Sequence, residues 1–474
     1  MDTHAHVGFR PVTQGNTLSG TPSDAPKARC AGRSGLWNPL TLTLIVALGA
    51  LLTWAAALSY YGSFYRGWDA QLYYAHLRSA VMDGDLDATN EIQQLTPGKA
   101  VFVSGAPWGG LPTTDDGQLV NVYTVGSSLM GLPGFMIGHI GAIITGQPTD
   151  GYSRPYEFAV TLWYALLVVL GCGVLGSALG RWTSARAAWL AVAAIFFGTN
   201  LIYYTGILPT MNHAPSFALM CVMLWLALRL YETPDRTRLW LASAVATFLL
   251  VLVRPTDVVM LVVLFPAAWQ VIRTGWRPAL RNGLPVAAAV VGAAVVQILV
   301  WRMVFGRWVA NAYTEWTGGK GFNFADPKLP EILTSGRGGG WLYHPLYAAA
   351  FIGLIAGCVM VRGRQRAVWI AVTAGIVLHI GLYSCWVSWD SGESFGNRIF
   401  INSAPLGAMG LAWLIHQTRR PLTFRLAAGA VALAVVWNGL LMAGYIEKTL
   451  PHRDEINAAV LCKTQIQTVQ RLLP

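Results

Sequence analysis

Charged residues are scarce in this chain. Asp, Glu, Lys and Arg make up 12% of its 474 residues, about half the share a soluble domain carries. Acid is scarcer than base, with 22 Asp and Glu against 33 Lys and Arg and a net charge of +11. Cysteine is also sparse. Six are scattered along the chain with no pair at metal-ligand spacing, so neither a disulfide framework nor a zinc site is indicated. Cys172, Cys221, Cys358 and Cys385 lie in or beside apolar runs and read as small packing residues. No Walker-type phosphate loop occurs, so nothing points to ATP hydrolysis. His-Glu-x-x-His and Gly-x-Ser-x-Gly are absent as well. The run Gly336-Arg-Gly-Gly-Gly340 has no strand-to-helix context and reads as a flexible loop, not a nucleotide fingerprint.

What remains is oil. Hydrophobic residues form 54% of the chain, in recurring runs near 20 residues long, the length a helix needs to cross the hydrocarbon core. The fold class is therefore an all-α polytopic membrane protein. We read about eleven spans, at 37–60, 156–180, 187–205, 214–231, 239–254, 257–273, 284–304, 345–361, 367–386, 398–415 and 426–446. The positive charge belongs to short basic gaps between runs, such as Arg181 with Arg186, Arg273 with Arg277 and Arg281, and Arg362 with Arg364 and Arg366. That pattern marks cytoplasmic loops and makes nucleic acid an unneeded partner. Residues 1–36 are polar, basic and rich in Gly, Ser, Thr and Pro, a disordered cytoplasmic tail by composition. The run after it is too long for a signal-peptide core, so it reads as an uncleaved first span.

Residues 121–146 are apolar enough to be a further span, but counting them as one would put Arg181 and Arg186 outside and invert every later basic loop. Gly131, Pro133 and Gly134 also interrupt the middle. We therefore expect interfacial or re-entrant helices there, on the outer side. The outer face then carries a large acidic loop, 61–155, and a short loop with Met211-Asn212-His213. It also carries a long Gly- and aromatic-rich loop, 305–344, the loop 386–398, and a C-terminal tail, 447–474. Polar content gathered on one side points to a site facing outward.

The first outer loop holds Trp68-Asp69-Ala-Gln71-Leu-Tyr73-Tyr74, then Ser79, Asp83-Gly84-Asp85-Leu86-Asp87 and Asn90-Glu91. Asn121-Val-Tyr123-Thr-Val-Gly126 and Leu132-Pro133-Gly-Phe135 follow, with Tyr343-His344-Pro345 and Ser394-Phe-Gly396-Asn397-Arg398 later, and Pro405 beyond. In this order and on one face, these short motifs resemble the GT-C membrane glycosyltransferases over most of 37–445. That group includes the protein O-mannosyltransferases and the lipid A aminoarabinose transferases. The resemblance implies a polyprenyl-phosphate sugar donor, an acceptor (glycan, lipid or protein) on the outer side, and Asp69 as catalytic base. Relatives often carry Asp-Glu where this chain has Asp69-Ala70, which counts against a second acid at that point. The chemistry needs only one carboxylate. A lipid phosphate leaves as a stabilised anion, so no general acid is required, in contrast to glycoside hydrolysis.

Each nominated residue has a plainer reading beside the functional one. Asp69 is either the base or a solvated interfacial carboxylate. Asp83, Asp85 and Asp87 read as a solvated turn or cap. Alternating acids could hold a divalent cation, but no full ligand loop is present, and no metal residue or cofactor is assigned. Glu91 could orient an acceptor, and Tyr73 could stack on a sugar ring. Arg254 either pairs with Asp257 or faces the donor phosphate, a buried charge being costly unless paired or functional. Arg398 and Arg337 are the other phosphate candidates, with Lys320 able to steer the lipid. His213, His344 and Asn397 could contact donor or acceptor, or serve as local caps. The rival class is a lipid-linked glycan flippase or other transporter. Against it stand the lack of a clear internal repeat and the few charges in mid-span.

Overall fold

The computed structural model describes residues 39–472 apart from 65–66, 96–110, 112–113, 115–116, 310, 318–319, 393 and 451–455. The polar segment 1–36 therefore lies outside the described residues. Helix dominates the rest. α1 (Pro39–Tyr61) leads into α2 (Trp68–Arg78), which ends in a single π turn, and then into α3 (Thr89–Leu95), α4 (Gly126–Thr145) and α5 (Arg154–Trp182). Next come α6 (Ala185–Gly198), the short α7 (Leu201–Gly206), α8 (His213–Glu232) and α9 (Thr237–Val253). A 3₁₀ stretch, Pro255–Leu264, runs into α10 (Phe265–Ile272) and is followed by α11 (Trp276–Phe305). The long loop carries α12 (Ala312–Trp316), α13 (Leu329–Thr334) and α14 (Gly340–Tyr343). The chain closes with α15 (Pro345–Met360), α16 (Arg366–Ser384), α17 (Phe400–His416), α18 (Pro421–Ile446) and α19 (Ala458–Leu472).

The eleven expected spans fall on helices in the described residues, with 187–205 divided between α6 and α7 by a break at Thr199 and Asn200. Among the described residues eight helical segments are long and apolar enough to cross a membrane; one of them is α4, which was expected to be interfacial or re-entrant, and α6, α9 and α15 are shorter apolar helices. This is a multi-pass membrane protein. α8 and α17 form its centre and are buried along nearly their whole length, whereas α1, α11 and α18 present most of their apolar side chains outward. Lipid tails are as apolar as leucine, so close packing has to hold such helices together. Glycines supply it. A side chain at Gly353 or Gly410 would collide with the facing backbone of α17 or α15.

Two expectations are corrected. Gly131, Pro133 and Gly134 do not interrupt 126–145, which is one unbroken helix. The glycines there serve contact: Gly126 lies on the backbone of Leu252 and Val253, Gly134 on Trp163, and Gly138 on Tyr156. The indole of Trp163 donates to the Met130 carbonyl at 2.8 Å in the turn before Pro133, where the proline leaves the ladder incomplete. These contacts run from Tyr164 beside Gly131 back to Tyr156 beside Gly138. α4 thus lies antiparallel to the first third of α5, while the remainder of α5 packs on α6 and α8. The second correction concerns 447–474. This is not all tail, because α19 forms there and packs on α18, with Gln465 Nε2 donating to the Trp437 carbonyl at 3.1 Å.

Candidate active site

Asp69 occupies the first turn of α2, directly after Gly67, whose φ of 78° suits glycine. Ser63 and the Phe64 amide both donate to Glu157 of α5, fixing the approach to α2. The Asp69 carboxylate is partly buried and has one partner on each oxygen. Tyr123 donates its phenol to Oδ1 at 2.6 Å, and Arg398 donates Nη2 to Oδ2 at 2.5 Å. Those partners lie 54 and 329 residues away in sequence. A wall of phenols completes the corner. Tyr73 and Tyr123 meet edge to face at 5.0 Å between centroids, and Tyr313 of α12 packs on Tyr123 at 5.7 Å. Burial holds all three phenols above their ordinary range, with Asp69 adding to the effect. They therefore act as neutral donors. His76, also on α2, is lowered to about 4 by burial, and its Nε2 lies 3.1 Å from the Tyr123 carbonyl.

Arg254 joins this corner from the end of α9, close enough that Tyr73, Tyr313 and Arg398 all feel its charge. Its guanidinium contacts Asn212 Oδ1 at 3.0 Å, the His213 ring nitrogens at 3.2 and 3.4 Å, and the Tyr383 phenol. The alternative of a direct pair with Asp257 is not realised. The Asp257 carboxylate instead accepts from Ser216 and Asn402 and faces His379. Arg254 thus has neutral partners in contact.

The structure therefore brings Asp69, Arg398, Arg254, Tyr73 and His213 together. Asn397 and His344 stand behind them as supports of the 386–398 loop. Asn397 is buried, donating to the Trp389 carbonyl at 2.8 Å and accepting from Ser391 at 2.8 Å. His344 is buried against Phe395 and Tyr347, with Gly396 leaving room for its Nε2. Asn200, at the break between α6 and α7, donates to the Phe395 carbonyl at 3.3 Å and accepts from Tyr347 at 2.9 Å. Arg337 is 44% exposed and lies 3.4 Å from Asp390, and Lys320 is exposed. Glu91 is not brought to Asp69. It sits at the far end of α2 with Arg78, Asp83 and Tyr152, about 13 Å along the helix from Asp69. Burial lifts its carboxyl to about 7 against the pull of Arg78. Among the described residues no cluster of His, Cys, Asp or Glu has the geometry of a metal site.

Sequence reasoning quoted Tyr123 but did not nominate it, and passed over Tyr313, Tyr383 and Asn402. A tyrosine in an aromatic-rich membrane protein carries no signal of its own. Only the assembled fold distinguishes these from interfacial tyrosines. The 305–344 loop that carries Tyr313 is docked, not free. Asn323 and Lys328 amides donate to the carbonyls of Cys385 and Ser384 at 2.7 Å each, and the Val387 amide donates to Gly321 at 3.1 Å.

No family model and no curated protein matches the chain. Among solved structures it is similar to ArnT from Cupriavidus metallidurans, determined bound to undecaprenyl phosphate. The two share 15% identity over 90% of this chain and 74% of that one, with a TM-score of 0.52. The fold is the GT-C fold. At this identity the likeness concerns architecture. In this chain Asp69 lies in the first long connection, after α1.

Proposed function

We propose that this chain is a membrane glycosyltransferase that moves a sugar from a polyprenyl-phosphate donor to a glycan, lipid or protein acceptor, with Asp69 as base. One observation carries the reading. The Asp69 carboxylate accepts from a tyrosine and from Arg398, and Arg254, from the end of α9, has only neutral side chains in hydrogen-bond contact among the described residues. The GT-C frame and the undecaprenyl phosphate held by ArnT support it.

The chemistry divides between the two groups. Asp69 accepts the proton of the acceptor hydroxyl as that oxygen attacks the anomeric carbon, a role worth about 10²–10⁴-fold. The bond from that carbon to the phosphate oxygen breaks on the opposite side, so the centre inverts. The electron pair leaves on the lipid phosphate, whose charge Arg398 and Arg254 stabilise. Arg398 pairs with Asp69. A phosphate anion competes for that guanidinium, and its arrival frees the carboxylate to act as base. Tyr73, Tyr123 and Tyr313 offer hydroxyls and ring faces to the sugar, and the docked 305–344 loop covers the corner. The basic gaps orient the protein in an inner membrane with its N-terminus in the cytoplasm and this corner on the outer side. α4, packed beside only the first third of α5, then belongs to the outer half.

The test is transfer from a panel of radiolabelled polyprenyl-phosphate sugars by membranes holding the wild-type protein or Asp69→Asn. Transfer by the wild type that disappears in the variant, with donor binding kept, supports the base. Equal transfer by both removes Asp69 from that role.

A further inference from the structure

A chain of buried polar groups runs behind Arg254 and has no part in the chemistry just described. Its origin is the Asp257 carboxylate, fully buried in the 3₁₀ stretch after α9. Asn402 donates its amide to both carboxylate oxygens at 3.1 Å, and Ser216 donates to Oδ2 at 2.5 Å. His379 Nε2 lies 3.3 Å from Oδ1. Because the Asn402 nitrogen is spent on Asp257, its oxygen must accept, and His213 Nδ1 meets it at 2.9 Å. His213 therefore carries its proton on Nδ1 and leaves Nε2 bare, facing the Arg254 guanidinium at 3.2 Å. Asn402 donates to the carboxylate and His213 to Asn402, while Arg254 Nη1 lies against the His213 ring, 3.2 Å from Nε2 and 3.4 Å from Nδ1. Asn402 also sits one turn beyond Arg398, so the same residue ties the second arginine's helix into the chain.

Buried polar chains are costly unless every member is satisfied, and when satisfied they fix one geometry. A carboxylate touching Arg254 directly would consume the charge needed for a phosphate. Two neutral residues between them spread the compensation while leaving the guanidinium available.

We infer that Asp257, Asn402 and His213 form a positioning relay that holds Arg254 ready for the donor phosphate, with Asp257 as its remote counter-ion. The inference rests on the functional reading above.

The experiment is equilibrium binding of undecaprenyl phosphate to the purified full-length protein in detergent, arranged as double-mutant cycles. Asp257→Asn removes the counter-ion. Asn402→Leu cuts the relay while leaving the carboxylate with Ser216 and His379, so it decides the matter if Asp257→Asn does not fold. Each is expected to weaken binding about 5- to 20-fold. In an Arg254→Gln background the same substitutions should change binding less than about twofold, because the group they position is gone. A merely structural role gives the same loss in both backgrounds and overturns the relay, as does wild-type affinity in Asn402→Leu. Failure of the wild type to bind the lipid phosphate overturns the relay together with the functional reading, and so separates the two failures.

Discussion

The two ends of α2 carry acid in different ways. Past its C-terminal end Asp83, Asp85, Asp87 and Glu91 take their partners from 2 to 13 residues away, Arg78, Ser79, Thr89 and Asn90, with Glu91 Oε2 buried without a hydrogen-bond partner among the described residues. At the N-terminal end the lone Asp69 takes its partners from 54 and 329 residues away. The dense cluster closes on itself and stiffens a loop. The solitary carboxylate is held by groups that the rest of the fold has to deliver, and those groups include an arginine able to leave it for another anion. The clustered acids take local partners, and Asp69 takes distant ones.

The sharpest way to break this comparison is Asp69→Asn. Transfer should fall about 10²–10⁴-fold while donor binding persists, measured with labelled donor in membranes. Arg398→Gln should cost about 10²-fold in kcat/KM, with donor KM rising, because it removes both a phosphate contact and the guanidinium that rests on Asp69. Tyr123→Phe deletes one hydrogen bond to the carboxylate and leaves the ring packing. We expect about a tenfold loss in kcat with donor affinity unchanged. If Tyr123→Phe instead alters affinity alone, the phenol serves the donor and not the base.

Much of this arrangement was legible beforehand. The spans follow from hydropathy and from basic gaps, both properties of short windows, and all of them appear as helix. Asp69 and Arg398 were readable because motif order placed them on one face. Three things were not. Glycine and proline in 126–145 read as breaks, yet in a lipid-facing helix the glycines serve close contact with α5 and α9, and Trp163 answers a neighbouring carbonyl. For Arg254 the sequence left two readings open, a pair with Asp257 three residues on or a contact to the donor phosphate. The extended backbone at Arg254 and the 3₁₀ turn after it send their side chains to different partners. Glu91 was a candidate to orient an acceptor, and the fold places it on α3 beside Arg78, at the end of α2 away from Asp69.

That last difference yields the smallest expected effect on transfer and a separate signature in stability. Glu91→Gln keeps an oxygen that can accept from Arg78, so transfer should stay within about twofold of wild type. Stability should respond to pH. The Glu91 carboxyl sits at about 7 in the fold against 4.5 in the open chain, because burial disfavours its charge more than Arg78 favours it. Between those values the folded protein keeps a proton that the unfolded chain has lost. Glu91 therefore makes stability decline as pH rises from about 4.5 to about 7, and contributes no further slope above that. Gln carries no titrating proton, so thermal unfolding of Glu91→Gln should lose this part of the slope while Asp69→Asn retains it. A loss of transfer in Glu91→Gln comparable to that in Asp69→Asn would instead put both ends of α2 in one sugar site and erase the distinction between them.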